Sequence, residues 1–260
     1  MIVSDLPDGD LHLVKQIDHA HTSGQIARAW RKPDFLTDDI WEEFIIAVEH
    51  HDDGWDLADD DPSVDSNGRP RNFKTFPTRR HIALWQRTLD LARKRGVFQQ
   101  LLTAGHARWL YTHIQSVDDN AKEAAVYFIE QLDQIMANAF DELSADPRYA
   151  QAIEPHHFQQ LRQLFSFFDA LSLVFVRGLE WISFTDALPV GDDVVRMKIH
   201  GEMCSIRWGR MTPWPFVEAD VDFTVPMTRI SGKPYADADA LRDTLDNSEA
   251  VVRHFALGRL

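Results

Sequence analysis

His51-Asp52 sets an imidazole beside a carboxylate at the end of an apolar pattern that runs Trp41, Phe44, Ile45, Val48. Helical stepping back from His51 reaches Val48 and Phe44, and from Asp52 it reaches Val48 and Ile45. Both side chains therefore belong on the apolar stripe near the end of a helix read from Asp38 to Asp53. Thr37 supplies its N-cap, Asp38 and Asp39 its first turn, and Gly54 its stop. A histidine and an aspartate facing one core suit a divalent metal. The plainer alternative is a helix end carrying solvated polar groups.

Three further positions bear on that choice. His19 shares a helical face with Ile26 and lies one turn from Gln16 and Ser23, so it also points inward. A core histidine satisfied by hydrogen bonds is the alternative there. Asp169 interrupts the run Leu164-Phe165-Ser166-Phe167-Phe168-Asp169-Ala170-Leu171-Ser172-Leu173, with Phe165 and Leu173 one turn to either side. A carboxylate in that setting is desolvated and must find a partner or take up a proton. A metal ion is one partner and a buried arginine the other. His81, aligned with Trp85, and His106, on a face with Leu102 and Trp109, are candidates for a second metal position or for surface and structural roles.

The elements that must position these residues are helical over most of the chain. Apolar spacing predicts helices over 16–30, 79–95, 97–113, 119–143 and 155–179 besides the one ending at His51-Asp52. Between Asp56 and Thr78 the periodicity stops and Pro62, Asn67-Gly68, Pro70 and Pro77 mark a long loop, a kind of segment that often carries function. Beyond Pro189 the pattern becomes alternating: Val217, Ala219, Val221, Phe223 and Val225 are separated by Glu218, Asp220, Asp222 and Thr224. Strands are also expected at 194–199 and 203–208, and a short helix at 239–245. The expected organisation is a mainly α unit over 1–189 and a small β-rich C-terminal appendage over 190–260, packed on it.

Composition sets the outer limits. With 260 residues, eight tryptophans and sixteen phenylalanines the chain can bury a large core. A net charge of −14, from 27 basic and 41 acidic residues, opposes nucleic acid and anionic membranes as partners. The lone Cys204 rules out an internal disulfide and cysteine-based zinc knuckles. Met1-Ile2-Val3-Ser4-Asp5 lacks the basic and apolar regions of a secretory signal, so a cytoplasmic location is expected. The apolar stretch 165–184 is broken by Asp169, Arg177 and Glu180 and reads as a core helix. No phosphate-binding glycine loop, nucleophile elbow or His-Glu-x-x-His pair is present.

Taken in order, His19, His51-Asp52 and Asp169 resemble the H…HD…D signature of the HD superfamily of metal-dependent phosphohydrolases, with His81 and His106 where two-metal members carry extra histidines. Gln16-Ile17-Asp18-His19-Ala20, His51-Asp52-Asp53-Gly54-Trp55 and Phe168-Asp169-Ala170-Leu171-Ser172-Leu173 look more narrowly like the bacterial domain-of-unknown-function family 3891. The likeness extends to Pro213-Trp214-Pro215-Phe216. It implies an HD-domain-like helical bundle, with His19, His51, Asp52 and Asp169 as ligands of one or two iron, manganese or zinc ions. Asp53-Gly54-Trp55 departs from many such hydrolases and would set a bulky ring beside the metal.

Three activities remain open on this reading. A hydrolase of a small phosphorylated or otherwise anionic substrate would use metal-activated water, with Asp52 orienting it. Arg69, Arg71, Lys74, Arg79 and Arg80 in and after the long loop are then substrate-binding candidates, unless they offset Asp59-Asp60-Asp61. A di-iron oxygenase would use His19, His51, Asp52, His81, His106 and Asp169 together, as proteins similar to myo-inositol oxygenase do. A non-catalytic regulatory module would keep the metal for structure, its acidic surface and appendage serving a protein partner or a homo-oligomer.

Overall fold

The computed structural model describes residues 1–113, 119–177, 181–191, 193–201 and 208–259, with the side chains of 119, 181–187, 193–201 and 208–210 left aside. The chain is mostly helical, with a curled sheet whose strands come mainly from the C-terminal part. Its elements run β1 (Ile2–Asp5), β2 (Leu11–Val14), α1 (Gln16–Ala29), α2 (Asp38–Glu49), α3 (Asp56–Asp60), α4 (Thr78–Arg95), α5 (Val97–His113), α6 (Asp119–Ser144) and α7 (Pro155–Arg177). Then follow β3 (Trp181–Val190), β4 (Asp193–Gly201), β5 (Trp208–Thr212), β6 (Asp220–Ile230), α8 (Ala238–Asp246) and β7 (Ala250–Arg259).

The helices predicted from apolar spacing are present, and the helix at 239–245 is α8. The apolar stretch 165–184 is not one core helix, however: α7 ends at Arg177, and residues 181–189, expected in the α unit, belong to strand β3. Two more differences matter. The sheet order is β1-β2-β6-β7-β5-β4-β3, so two strands lie ahead of α1, where the sequence reading places only helices. Leu11 and Leu13 pair with Ile230 and Thr228 of β6, a contact between distant stretches that no local periodicity reports. The other difference lies at β6, which runs from Asp220 to Ile230, while Val217 lies ahead of it and is exposed. Alternation holds inside the strand: Val221, Phe223, Val225 and Met227 are buried and their neighbours Asp220, Asp222 and Pro226 are exposed. Cys204 and most of the strand expected at 203–208 lie outside the described residues.

Helix α7 is the axis of the molecule. Phe165, Ser166, Phe167 and Phe168 are consecutive and all buried, the mark of a helix covered on every side. Phe167 and Phe168 pack on Trp30 at ring separations of 5.2 Å, and Phe175 stacks on Phe223 and Phe255 of the sheet. One hydrophobic cluster therefore joins the helices to the strands. Gln25 ties α1 to the sheet as well, accepting from the Thr224 N–H (2.9 Å) and donating to its carbonyl (3.0 Å). No described helix is long and apolar enough to cross a membrane.

Candidate metal centre

Helix α2 stops at Glu49, before the histidine-aspartate pair, and His51 and Asp52 sit in the turn that leads to a short 3-10 turn, Asp53–Trp55. His50 and Asp52 both adopt φ near −115° and ψ near 17°, outside the helical range, so the chain swings both side chains inward. Helical stepping therefore gave the correct face from the wrong local geometry. Gly54 is also no left-handed stop, for its φ is not positive. Its role is close approach: a Cβ there would lie 2.2 Å from the Leu84 carbonyl oxygen and 2.7 Å from the Thr88 nitrogen. The Gly54 N–H donates to Thr88 Oγ1 at 3.0 Å and so anchors the turn on α4.

Three elements meet at one point. His19 comes from α1, His51 and Asp52 from the turn after α2, and Asp169 from the middle of α7. His19 Nε2 lies 3.2 Å from Asp52 Oδ2 and 3.5 Å from Asp169 Oδ1. His51 Nε2 is 3.6 Å from each of the same two oxygens. An ion with bonds of ~2.1 Å holds neighbouring donor atoms roughly 3.0 Å apart at right angles and roughly 3.4 Å apart in a tetrahedron. The observed spacings of 3.2–3.6 Å lie around the tetrahedral value and above the right-angle one. His19, His51 and Asp169 offer ligand atoms all within 4.8 Å of one another, a set that could hold a metal ion, while Asp52 stands against both imidazoles outside that set. Imidazole and carboxylate donors suit iron, manganese or zinc. His19, His51 and Asp52 are at most 4% exposed, whereas the Asp169 side chain is 13% exposed and marks the side open to solvent.

Hydrogen bonds on the far side of each ring fix which nitrogen faces the cluster. His51 Nδ1 donates to the Val48 carbonyl at 2.7 Å, and a carbonyl can only accept, so in the neutral ring the lone pair belongs to Nε2, on the side of the cluster. Ser172 Oγ donates its one proton to the Asp169 carbonyl (2.9 Å) and accepts from His19 Nδ1 (2.5 Å). Ser23 Oγ approaches the same Ser172 oxygen at 3.0 Å. Gln16 Nε2 donates to Asp52 Oδ2 at 3.2 Å. Ser172, Ser23 and Gln16 were not named from sequence as parts of a site. Their one signal was position, since each is a polar residue one turn from a candidate ligand on an otherwise apolar face. Ser172→Ala is expected to weaken metal binding by about 10–100-fold, as is usual for the partner of a ligating histidine. Competition with a chelating dye measures it, and an unchanged affinity would remove Ser172 from the account.

Charge in the metal-free site follows the same contacts. Burial lowers the His51 imidazole, but Asp52 and Asp169 beside it more than compensate and raise it to about 9. Burial would raise the Asp169 carboxyl, yet the His106 and His51 rings hold it well below its ordinary value of 3.8. The buried partner of Asp169 is thus a set of imidazoles: no arginine or lysine among the described residues is recorded as its ion-pair partner.

The remaining sequence candidates are placed around this cluster. His106 Nε2 is 3.3 Å from Asp169 Oδ2, the oxygen turned away from His19 and His51, without the alignment of a hydrogen bond. Its Nδ1 lies 3.0 Å from Ser166 Oγ, and burial pushes its pKa down. His81 stands outside this cluster, between Trp55 and Tyr111. Arg69 pairs with Asp5 at 2.6 Å, and Arg71 reaches the Val64 and Thr75 carbonyls. Lys74 lies over Phe73, Arg80 lies over Phe76, and Arg79 is exposed. None of these five cations pairs with Asp52 or Asp169. Arg80 connects to this region through Phe76, which packs on Trp55, and Trp55 packs on His81.

Residues 1–232, most of the chain and every residue of the cluster, match the family described as "Protein of unknown function (DUF3891)". The chain belongs to the DUF3891 family. No curated protein and no solved structure matches it. In this DUF3891 chain, then, the chemistry of the donor atoms is what speaks for function.

Proposed function

We propose that the protein is a metal-dependent hydrolase of the HD type acting on a small phosphorylated or otherwise anionic substrate. The observation that carries this reading is the convergence of His19, His51 and Asp169 ligand atoms within 4.8 Å of one another in a buried site with one more open edge, with Asp52 Oδ2 3.2 and 3.6 Å from the two imidazoles. A bound divalent ion supplies Lewis acidity, polarising a phosphoryl oxygen and bringing the pKa of water toward neutrality. The chain does the rest. The Val48 carbonyl and Ser172 hold the two imidazoles in the ligating tautomer. Gln16 fixes the Asp52 carboxylate, which would orient the water that attacks. Trp55, buried against His81 and Phe76, keeps bulk water from one wall.

The test is a screen of nucleotides and sugar phosphates with manganese, zinc or iron, comparing wild type with Asp52→Asn. The reading predicts metal-stimulated phosphate release that falls by at least about 100-fold in the variant. Absence of turnover across the panel by metal-loaded wild type would count against it. A second reading draws on His106, whose buried Nε2 faces the outer oxygen of Asp169 without a hydrogen-bond partner. His106 and Asp169 would hold a second ion there, and a pair of irons would suit a di-iron oxygenase. Two irons per chain and oxygen-dependent turnover would favour it over hydrolysis.

A further inference from the structure

Beside the ligand cluster, α4 presents two nitrogens that coordination by His19, His51, Asp52 and Asp169 leaves unexplained. His81 is half-buried and its Nδ1 lies 2.6 Å from the Tyr111 hydroxyl. Tyr111 is buried, and burial pushes its phenol up, so the hydroxyl keeps its proton. Among the described residues His81 Nδ1 is the one hydrogen-bond partner recorded for that proton. Nδ1 therefore accepts, and in the neutral ring the proton resides on Nε2. Burial holds the His81 imidazole down, to about 4, so the ring is neutral near pH 7. His81 thus offers an N–H where a metal ligand would need a lone pair.

Trp85 follows one turn later on the same face of α4. Its ring lies 6.5 Å from that of His81 and 5.9 Å from that of His106. The residue is 3% exposed, and its indole N–H has no acceptor. An indole nitrogen can only donate, and a buried donor without an acceptor is a costly state that a ligand oxygen would relieve.

We propose that His81 Nε2–H and Trp85 Nε1–H form a neutral pair that receives an oxygen of a phosphoryl or carboxyl group bound at the metal cluster, with Tyr111 as the positioning residue that sets the His81 tautomer. The ligand's attachment rests on the metal-dependent reading above; the tautomer does not. Neutral donors suit this place, since a lysine or arginine beside the ion would repel it, whereas N–H dipoles stabilise negative charge on oxygen without competing for the carboxylates.

Two measurements on the full chain test the pair. Nitrogen-15 NMR of the imidazoles in metal-free protein should show His81 protonated on Nε2, and Tyr111→Phe should release that preference into a mixture. Calorimetry of the zinc-loaded protein with inorganic phosphate should show His81→Ala and Trp85→Phe each weakening binding by about tenfold, with zinc stoichiometry unchanged. His81→Gln, which restores an N–H donor, should recover part of the loss. A proton on Nδ1, loss of zinc in His81→Ala, or no phosphate binding by zinc-loaded wild type overturns the proposal. Failure of wild type to bind zinc overturns the metal reading, and the tautomer in metal-free protein then decides the role of His81.

Discussion

Replacing Asp169 by alanine should destabilise the metal-free protein by about 3–5 kcal/mol, the usual consequence of removing one partner from a buried ionic group. Asp169 is the carboxylate around which His19, His51 and His106 are arranged, at 3.5, 3.6 and 3.3 Å. Without it, His51 keeps Asp52 as its one close acidic partner, and a ring 1% exposed holds its charge less firmly. Asp169→Asn separates charge from shape, since the amide fills the same space. It should lose nearly as much stability at pH 7 and bind no metal. Urea unfolding with a chelator present measures both variants. A loss below about 1 kcal/mol would mean that the buried pairings contribute no more than surface ones.

The second large effect is a dependence of metal-free stability on pH. His51 has a folded pKa of about 9 against an ordinary value of 6.5. Its contribution is complete below 6.5 and disappears as pH rises through 9, about 3 kcal/mol in all. His81 acts in the opposite sense. Burial holds it at about 4, so its contribution is complete above 6.5 and is lost as pH falls through 4. Metal-free protein should therefore be most stable near pH 6.5 and lose stability on both sides. Metal binding requires His51 Nε2 without its proton, so uptake at pH 7 should release about one proton per ion and abolish the alkaline decline. Denaturant titrations at several pH values, with and without metal, check this. A metal-free stability that stays flat between pH 6.5 and 9 would contradict the charge assigned to His51.

The clustering of His19, His51 and Asp169 was legible in the sequence because they are polar residues in apolar surroundings. Asp169 stood out for its place in a phenylalanine-rich helix, and His19 and His51 for their inward faces. What the sequence withheld were relations between elements. That the partners of Asp169 are imidazoles depends on α1, α5 and the turn after α2 meeting at α7. The end of α2 before His51 was hidden because a turn and a helix can carry side chains to one face. Strands β1 and β2 are four residues each; they pair with each other, and β2 joins the sheet through β6, more than 200 residues away. The loop cations looked like a substrate grip by composition, yet Arg69 and Arg71 are held by Asp5 and by backbone carbonyls. Tyr111 and Trp85 had no signal at all, since an aromatic residue on an apolar helix face reads as core.

The most direct test of the central claim is the metal content of the full chain, purified without a metal-affinity tag and analysed for iron, manganese and zinc beside Asp169→Ala. The account predicts one tightly held ion per chain in wild type and none in the variant. Two ions would shift the reading toward the di-iron alternative. No metal in wild type, even after incubation with all three, would contradict it and leave His19, His51, Asp52 and Asp169 as a buried ion-pair network.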